Sequence, residues 1–163
     1  MSRLILVLRP GEKLILNGAQ LRFHTRARFE LTTHARLVYG KQVMSPEEAD
    51  TPARRFYLAL QIAYVGTAAE RPLALEAGRT LASALKAATT SLVVRDAIDD
   101  ALTAAEADDG FAALKLARRV VQHEAAVLSR CDSTRQCNLG LEPAREAALS
   151  NSEDEPRTTV GGA

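Results

Sequence analysis

The order of apolar and polar positions changes period near residue 44. Before it, apolar residues come in short runs or alternate with polar ones. Leu4 to Leu8 is a continuous run closed by Pro10 and Gly11. Leu14 to Leu16 leads into Asn17-Gly18, a pair favoured in two-residue hairpin turns because both positions tolerate positive φ. From Ala19 to Leu31 the odd positions are Ala19, Leu21, Phe23, Thr25, Ala27, Phe29 and Leu31, and the even ones are Gln20, Arg22, His24, Arg26, Arg28 and Glu30. This period of two predicts one hairpin, with the odd side turned to the core and Arg22, His24, Arg26 and Arg28 on the opposite side. With one more short strand at Arg36 to Tyr39, the segment reads as four or five strands of a small antiparallel sheet.

From Ser45 the recurrence is at three and four. Ser45 as N-cap, Pro46 at the first helical position and Glu48 closing a capping box form a helix start, and Thr51-Pro52 repeats the signal. The helix opened there carries Ala53, Phe56, Tyr57, Leu60, Ala63 and Tyr64 on one face, and Gly66 stands where a left-handed C-cap would end it. Leu73 to Lys86, Leu92 to Ala105 and Phe111 to Leu128 continue as helices, separated by Thr89-Thr90-Ser91 and Asp108-Asp109-Gly110. Phe56, Tyr57, Leu60, Phe111 and Leu114 read as core residues. Val93 and Val94, beside Leu92 and Ile98, widen the apolar surface of their helix and are the candidate partner-binding residues. Past Leu128 the periodicity fades. Residues 142–149 offer a marginal helix, and 150–163, built from Ser, Asn, Glu, Asp, Pro, Thr and Gly, hold too little apolar area to offset their ordering entropy. The expected fold class is α+β, with a small N-terminal antiparallel β-sheet, a cluster of about four α-helices and a disordered C-terminal tail. The expected division is a basic β-subdomain over 1–43, a helical subdomain over 44–130 and a mostly disordered tail over 131–163.

Composition narrows the class. At 163 residues, with 47% hydrophobic and 25% charged, the chain has the material for one ordinary globular core. Its longest uncharged run, Phe56 to Ala69, is shorter than the roughly 20 residues needed to span a bilayer. The run Leu4 to Leu8 is too short for the core of a signal peptide, so a cytoplasmic location without membrane contact is expected. Cys131 and Cys137 imply neither a disulfide framework nor a zinc site. His24, His34 and His123 stand apart from any ligand or triad spacing, and no nucleotide, hydrolase or metalloprotease motif occurs. No catalytic residue, metal or cofactor is therefore expected, and the chain does not read as an enzyme.

Charge changes the picture more. Residues 1–41 hold eight Lys and Arg against Glu12 and Glu30, a net +6, whereas the other 122 residues hold 13 basic and 18 acidic side chains, a net −5. Guanidinium forks match phosphate geometry, so Arg9, Lys13, Arg22, Arg26 and Arg28 are the candidate RNA-binding residues. Aromatic support is sparse: Phe23 and Phe29 share the inward parity, and Tyr39 alone is free to face outward.

Three strings carry a family resemblance. They are Leu8-Arg9-Pro10-Gly11-Glu12-Lys13 with Leu16-Asn17-Gly18-Ala19, then Glu47 to Arg55 followed by Phe56-Tyr57-Leu58-Ala59-Leu60-Gln61, and last Ala113 to Val121. In this order and spacing the chain resembles the flagellum biosynthesis repressor FlbT family over roughly residues 3 to 128. The resemblance implies a cytoplasmic post-transcriptional regulator that represses flagellin synthesis through the 5′ untranslated region of flagellin mRNA. The expected partner is then the flagellin mRNA leader. A second reading, motivated by the acidic alanine-rich helices, is an adaptor or export chaperone that binds flagellin or other flagellar assembly proteins and affects mRNA indirectly. A homo-oligomer is open under both.

Overall fold

The structure, a computed structural model, describes the backbone of residues 4–139 and the side chains of residues 4–131. It divides into a unit spanning Met1–Ala125 and a second beginning at Ala126. Five strands come first: β1 (Leu4–Leu8), β2 (Lys13–Leu16), β3 (Ala19–Arg22), β4 (Ala27–Leu31) and β5 (Leu37–Tyr39). They are followed by 3-10 turns at Gly40–Gln42 and Pro46–Glu48 and by α1 (Pro52–Val65), α2 (Glu70–Ala88), α3 (Leu92–Glu106) and α4 (Gly110–Leu139). The fold class is α+β, as the change of period predicts.

The strands form two antiparallel sheets. One is the ribbon β1-β4, in register from Leu4 opposite Leu31 to Leu8 opposite Ala27, and the other has the order β3-β2-β5. Asn17 and Gly18, at φ 47 and 88, make the tight turn between β2 and β3. The expected hairpin over residues 19–31 does not form. β3 pairs with β2, β4 pairs with β1, and the chain passes between the sheets at residues 23–26. The odd side is not core either: Leu21 is exposed, and Phe23, Phe29 and Leu31 are half-buried. A period of two records a half-polar strand but not which distant strand it joins. The buried face of the ribbon is supplied instead by Leu6 and Leu8 of β1, while in the second sheet Leu14 and Val38 are buried on opposite faces, since Val38 pairs with Ile15.

The helical core joins Phe56, Leu60 and Val65 of α1, Ala82 of α2, Val94, Ile98 and Ala101 of α3, and Ala113, Leu114, Ala117 and Val120 of α4. Val38 of β5 and Val43 belong to the same cluster, which couples a strand to the helices. Each large side chain fully buried here contributes about 1.5–3 kcal/mol. The start signals operate locally. The Ser45 N–H and hydroxyl both donate to Glu48 Oε2, at 2.7 and 3.0 Å, and Thr51 Oγ1 accepts the Arg54 N–H at 3.3 Å. Glu124 of α4 adds a long-range cap, accepting the Ala53 N–H at 3.2 Å and satisfying a helix-start donor.

Four further expectations, all in the helices, are corrected. Gly66 ends α1 in an extended conformation, φ −68 and ψ 173, not a left-handed one, and it is glycine for lack of room: a Cβ would collide with the Ile62 carbonyl oxygen. Phe111 is not core but 57% exposed. The inward stripe of α4 runs through Gly110, Ala113, Ala117 and Val120, and Gly110 has no space for a side chain because the Tyr64 ring lies against it. Val94 turns into the core while Val93 is 78% exposed, since neighbours on a helix point about 100° apart. Lastly, α4 continues past Leu128 to Leu139. The readings for residues 142–149 and 150–163 lie outside the described residues. Among the described residues, no helix is long and apolar enough to cross a membrane.

Candidate nucleic-acid interface

The antiparallel order gathers the basic residues at one end of the strands. Arg9 follows the last residue of β1, Lys13 opens β2, Arg22 closes β3, Arg26 precedes β4, and Arg28 is its second residue. Backbone hydrogen bonds fasten this end. The Gly11 N–H donates to Phe23 C=O at 2.6 Å, the Phe23 N–H to Glu12 C=O at 3.1 Å, and the Glu12 N–H to Arg9 C=O at 3.1 Å. Gly11 takes φ 85 in that turn, and the Arg9 N–H donates to Glu12 Oε2 at 2.8 Å. The two sheets meet here through Phe23 and Phe29, whose rings stack at 6.1 Å between centroids and 4° between planes. The five sequence-predicted residues thus come to one region, although two sheets carry them.

Their charges are largely unspent. Arg9, Arg22, Arg26 and Arg28 are exposed, and among the described residues none of the four is ion-paired. Elsewhere Arg36 is paired with Asp108, Arg54 with Asp50, Arg79 with Glu76 and Glu106, and Lys86 with Asp99, whereas Lys41, Lys115, Arg118 and Arg119 are also exposed and not ion-paired among the described residues. Lys13 differs from the arginines. It is half-buried, and its charge reaches the carboxyls of Glu47 and Glu48. Glu48 is held below its ordinary carboxylate value mainly by the Ser45 N–H and hydroxyl, with Lys13 and Arg54 adding to the effect. Glu47 is lowered first by a backbone hydrogen bond, then by Ser45 and to a lesser degree by Lys13.

Lys13 and Arg22 stand directly opposite one another across β2 and β3. Two cations at such a cross-strand position repel, at a cost of a few tenths to about 1 kcal/mol. A bound anion removes that cost. The exposed arginines, unpaired among the described residues and held at the strand ends, can meet phosphates with little reorganisation.

The far end of the ribbon is apolar. Five residues of strand set it about 14 Å from the basic end. There Leu4 and Leu31, with Leu37, Tyr39, Tyr64 and Phe111, line a groove of about 610 Å³ that His34 and Thr32 also border. Tyr39 faces outward as its position predicts. Phe111 is a second exposed ring that its helical spacing disguised as core, and only the packing of Gly110 under Tyr64 reveals it. A further residue missed from sequence is Gln61, buried on α1. Its Oε1 accepts the Met44 N–H at 2.8 Å and its Nε2 donates to the Met44 C=O at 2.9 Å, fixing the segment that links strands to helices. Tyr57 assists by donating its hydroxyl to the Gln42 C=O at 2.7 Å, and burial pushes its phenol above the ordinary value. Among the described residues, no cluster of His, Cys, Asp and Glu could hold a metal ion.

Of the candidate partner-binding pair, Val93 remains on the surface, with Leu92 beside it, and Val94 does not.

Comparison with known proteins gives a consistent family and no structural precedent. Over 81 residues, half of this chain, it is 36% identical to proteins of Brucella ovis and Brucella canis and 35% identical to one of Brucella anthropi. Each of these is named "Probable flagellum biosynthesis repressor protein FlbT". The chain spans about half the length of the curated relatives it matches, 51%. No solved structure matches. The family described as "Flagellar protein FlbT" matches residues 4–128, which include every strand, the first three helices and much of α4, and the chain therefore belongs to the FlbT family.

Proposed function

We propose that this chain is a non-enzymatic cytoplasmic repressor of flagellin synthesis that binds the 5′ untranslated region of flagellin mRNA through the basic end of its strands. The observation that carries the reading is the gathering of Arg9, Arg22, Arg26 and Arg28, exposed and unpaired among the described residues, in a segment of net charge +6. These groups contact phosphates, Lys13 adds to their field, and the helices hold the two sheets in place. Relatives named as repressors of flagellum biosynthesis supply the direction of regulation. The test is charge reversal, Arg22→Glu with Arg26→Glu and Arg28→Glu, titrated against the flagellin leader RNA. These side chains bury little, so circular dichroism should be unchanged while affinity falls at least a hundredfold, each lost charged contact being worth about 1.5 kcal/mol or more. Unchanged affinity in a folded variant removes the site assignment.

The adaptor reading keeps one favouring observation, the exposed Leu92 and Val93 at the start of α3. Purified protein that captures flagellin but no RNA, and loses flagellin on Val93→Lys, would establish it instead.

A further inference from the structure

A two-stranded antiparallel ribbon is marginal alone in water, and three or more strands are the usual condition for stability. The ribbon β1-β4 has no third strand among the described residues. Its two edges are unlike. β4 carries Arg28 and Glu30, the kind of charges that protect an edge from further pairing, whereas β1, Leu-Ile-Leu-Val-Leu, has no charge, no proline and no glycine. The odd residues of β1 also lie on the solvent side: Ile5 is 48% and Val7 45% exposed, opposite Glu30 and Arg28 respectively.

We propose that β1 pairs antiparallel with β1 of a second copy of this chain, about a two-fold axis through Leu6, giving a four-stranded sheet of order β4-β1-β1-β4. The strand is complementary to itself in this register. Leu4 meets Leu8 of the second copy and Ile5 meets its Val7, so each side chain keeps its face of the sheet. On the solvent side two Ile5 and two Val7 become one β-branched cluster, flanked by Arg28 and Glu30 of both copies. An edge offered to itself this way gives a closed, isologous pair rather than an open chain. A second copy is also the partner whose strand matches in chemistry. Of the other edge strands, β3 with Gln20 and Arg22 and β4 with Arg28 and Glu30 would set charge or amide against Ile5 and Val7, and β5, apolar Leu37–Tyr39, has only three residues to offer a five-residue edge. Five residues a side bury less than the roughly 1,200 Å² of a standard stable interface, so the pairing should depend on concentration in the micromolar range. The inference stands apart from RNA binding.

The test is sedimentation velocity of the full chain from 1 to 200 µM. The expected result is a shift from the 17.6 kDa chain toward a species of twice that mass. Val7→Lys, at an exposed position, should hold the protein monomeric throughout with unchanged circular dichroism, while Val93→Lys, at an exposed apolar site away from β1, should still dimerise. As a check that does not depend on loss, Ile5→Cys with Val7→Cys in a Cys131→Ser, Cys137→Ser background should oxidise to a covalent dimer, since i and i+2 on one strand cannot bridge within a chain. A wild-type chain that stays monomeric at 200 µM overturns the proposal. So does a dimer that survives Val7→Lys, or a double-cysteine variant that stays monomeric under oxidising conditions.

Discussion

Arg22→Glu should strengthen the fold and weaken RNA binding at once. Arg22 lies directly opposite Lys13 on β3 and β2, and it is exposed with no ion pair among the described residues. In the native chain the two cations repel; in the variant they attract. Swapping a like-charge cross-strand pair for an opposite one gains about 0.2–1 kcal/mol on each side of the exchange. The two sides together come to about 0.4–2 kcal/mol, which for a domain of this size raises Tm by about 1–8 °C. The effect on RNA has the opposite sign. Four arginines each meeting one phosphate of a single strand give a slope of log affinity against log salt of about −2.8. Raising salt from 50 to 200 mM should then weaken native binding about 50-fold. Removing one contact lowers the slope to about −2.1 and the loss to about 20-fold, with affinity at fixed salt down about tenfold or more. The assays are calorimetric melting and fluorescence anisotropy with labelled leader RNA, both run as a salt series. A variant that melts lower than the native chain refutes the cross-strand repulsion. A salt slope equal to the native one refutes a phosphate contact at Arg22.

The remaining predictions concern the scaffold behind the interface. Gly66→Ala should destabilise by about 1–3 kcal/mol in chemical denaturation, because the added methyl meets the Ile62 carbonyl and the backbone must shift. Gln61→Leu leaves the Met44 N–H and C=O without their partner and should cost about 2 kcal/mol or more in the same assay, whereas the exposed Gln20→Leu should cost almost nothing. Ultraviolet titration of the three tyrosines should show Tyr57 ionising above the ordinary value of about 10, because burial raises its phenol. A phenol raised on folding keeps its full stabilising effect below the unfolded value and loses it as pH climbs through the folded one. Stability should accordingly fall above pH of about 10, and fall less in Tyr57→Phe.

Local signals were readable in the chain and non-local ones were not. Asn17-Gly18, Ser45 with Glu48, and Thr51-Pro52 each act within four residues, and each does in the structure what its chemistry requires. Strand partners are set by distant segments. The alternation from Ala19 to Leu31 could not reveal that its halves join β2 and β1, so the basic residues gather at strand ends rather than along one hairpin face. The same limit applies to Phe111 and Val94. Helical spacing marks an apolar stripe about 100° wide, and tertiary packing decides which residues at its margin are covered. The charge asymmetry was legible because it needs no fold. Which of those charges are neutralised was not, since pairs such as Arg36 with Asp108 join residues far apart in sequence.

The most direct measurement is a titration of the purified full chain against the flagellin leader RNA and a scrambled RNA of equal length, at 50 and 200 mM salt. The account predicts tighter binding to the leader at both salts, with affinity for it falling about 50-fold across the range. Equal affinity for the two RNAs, or none for either, would contradict it and leave flagellar proteins as the direct partners.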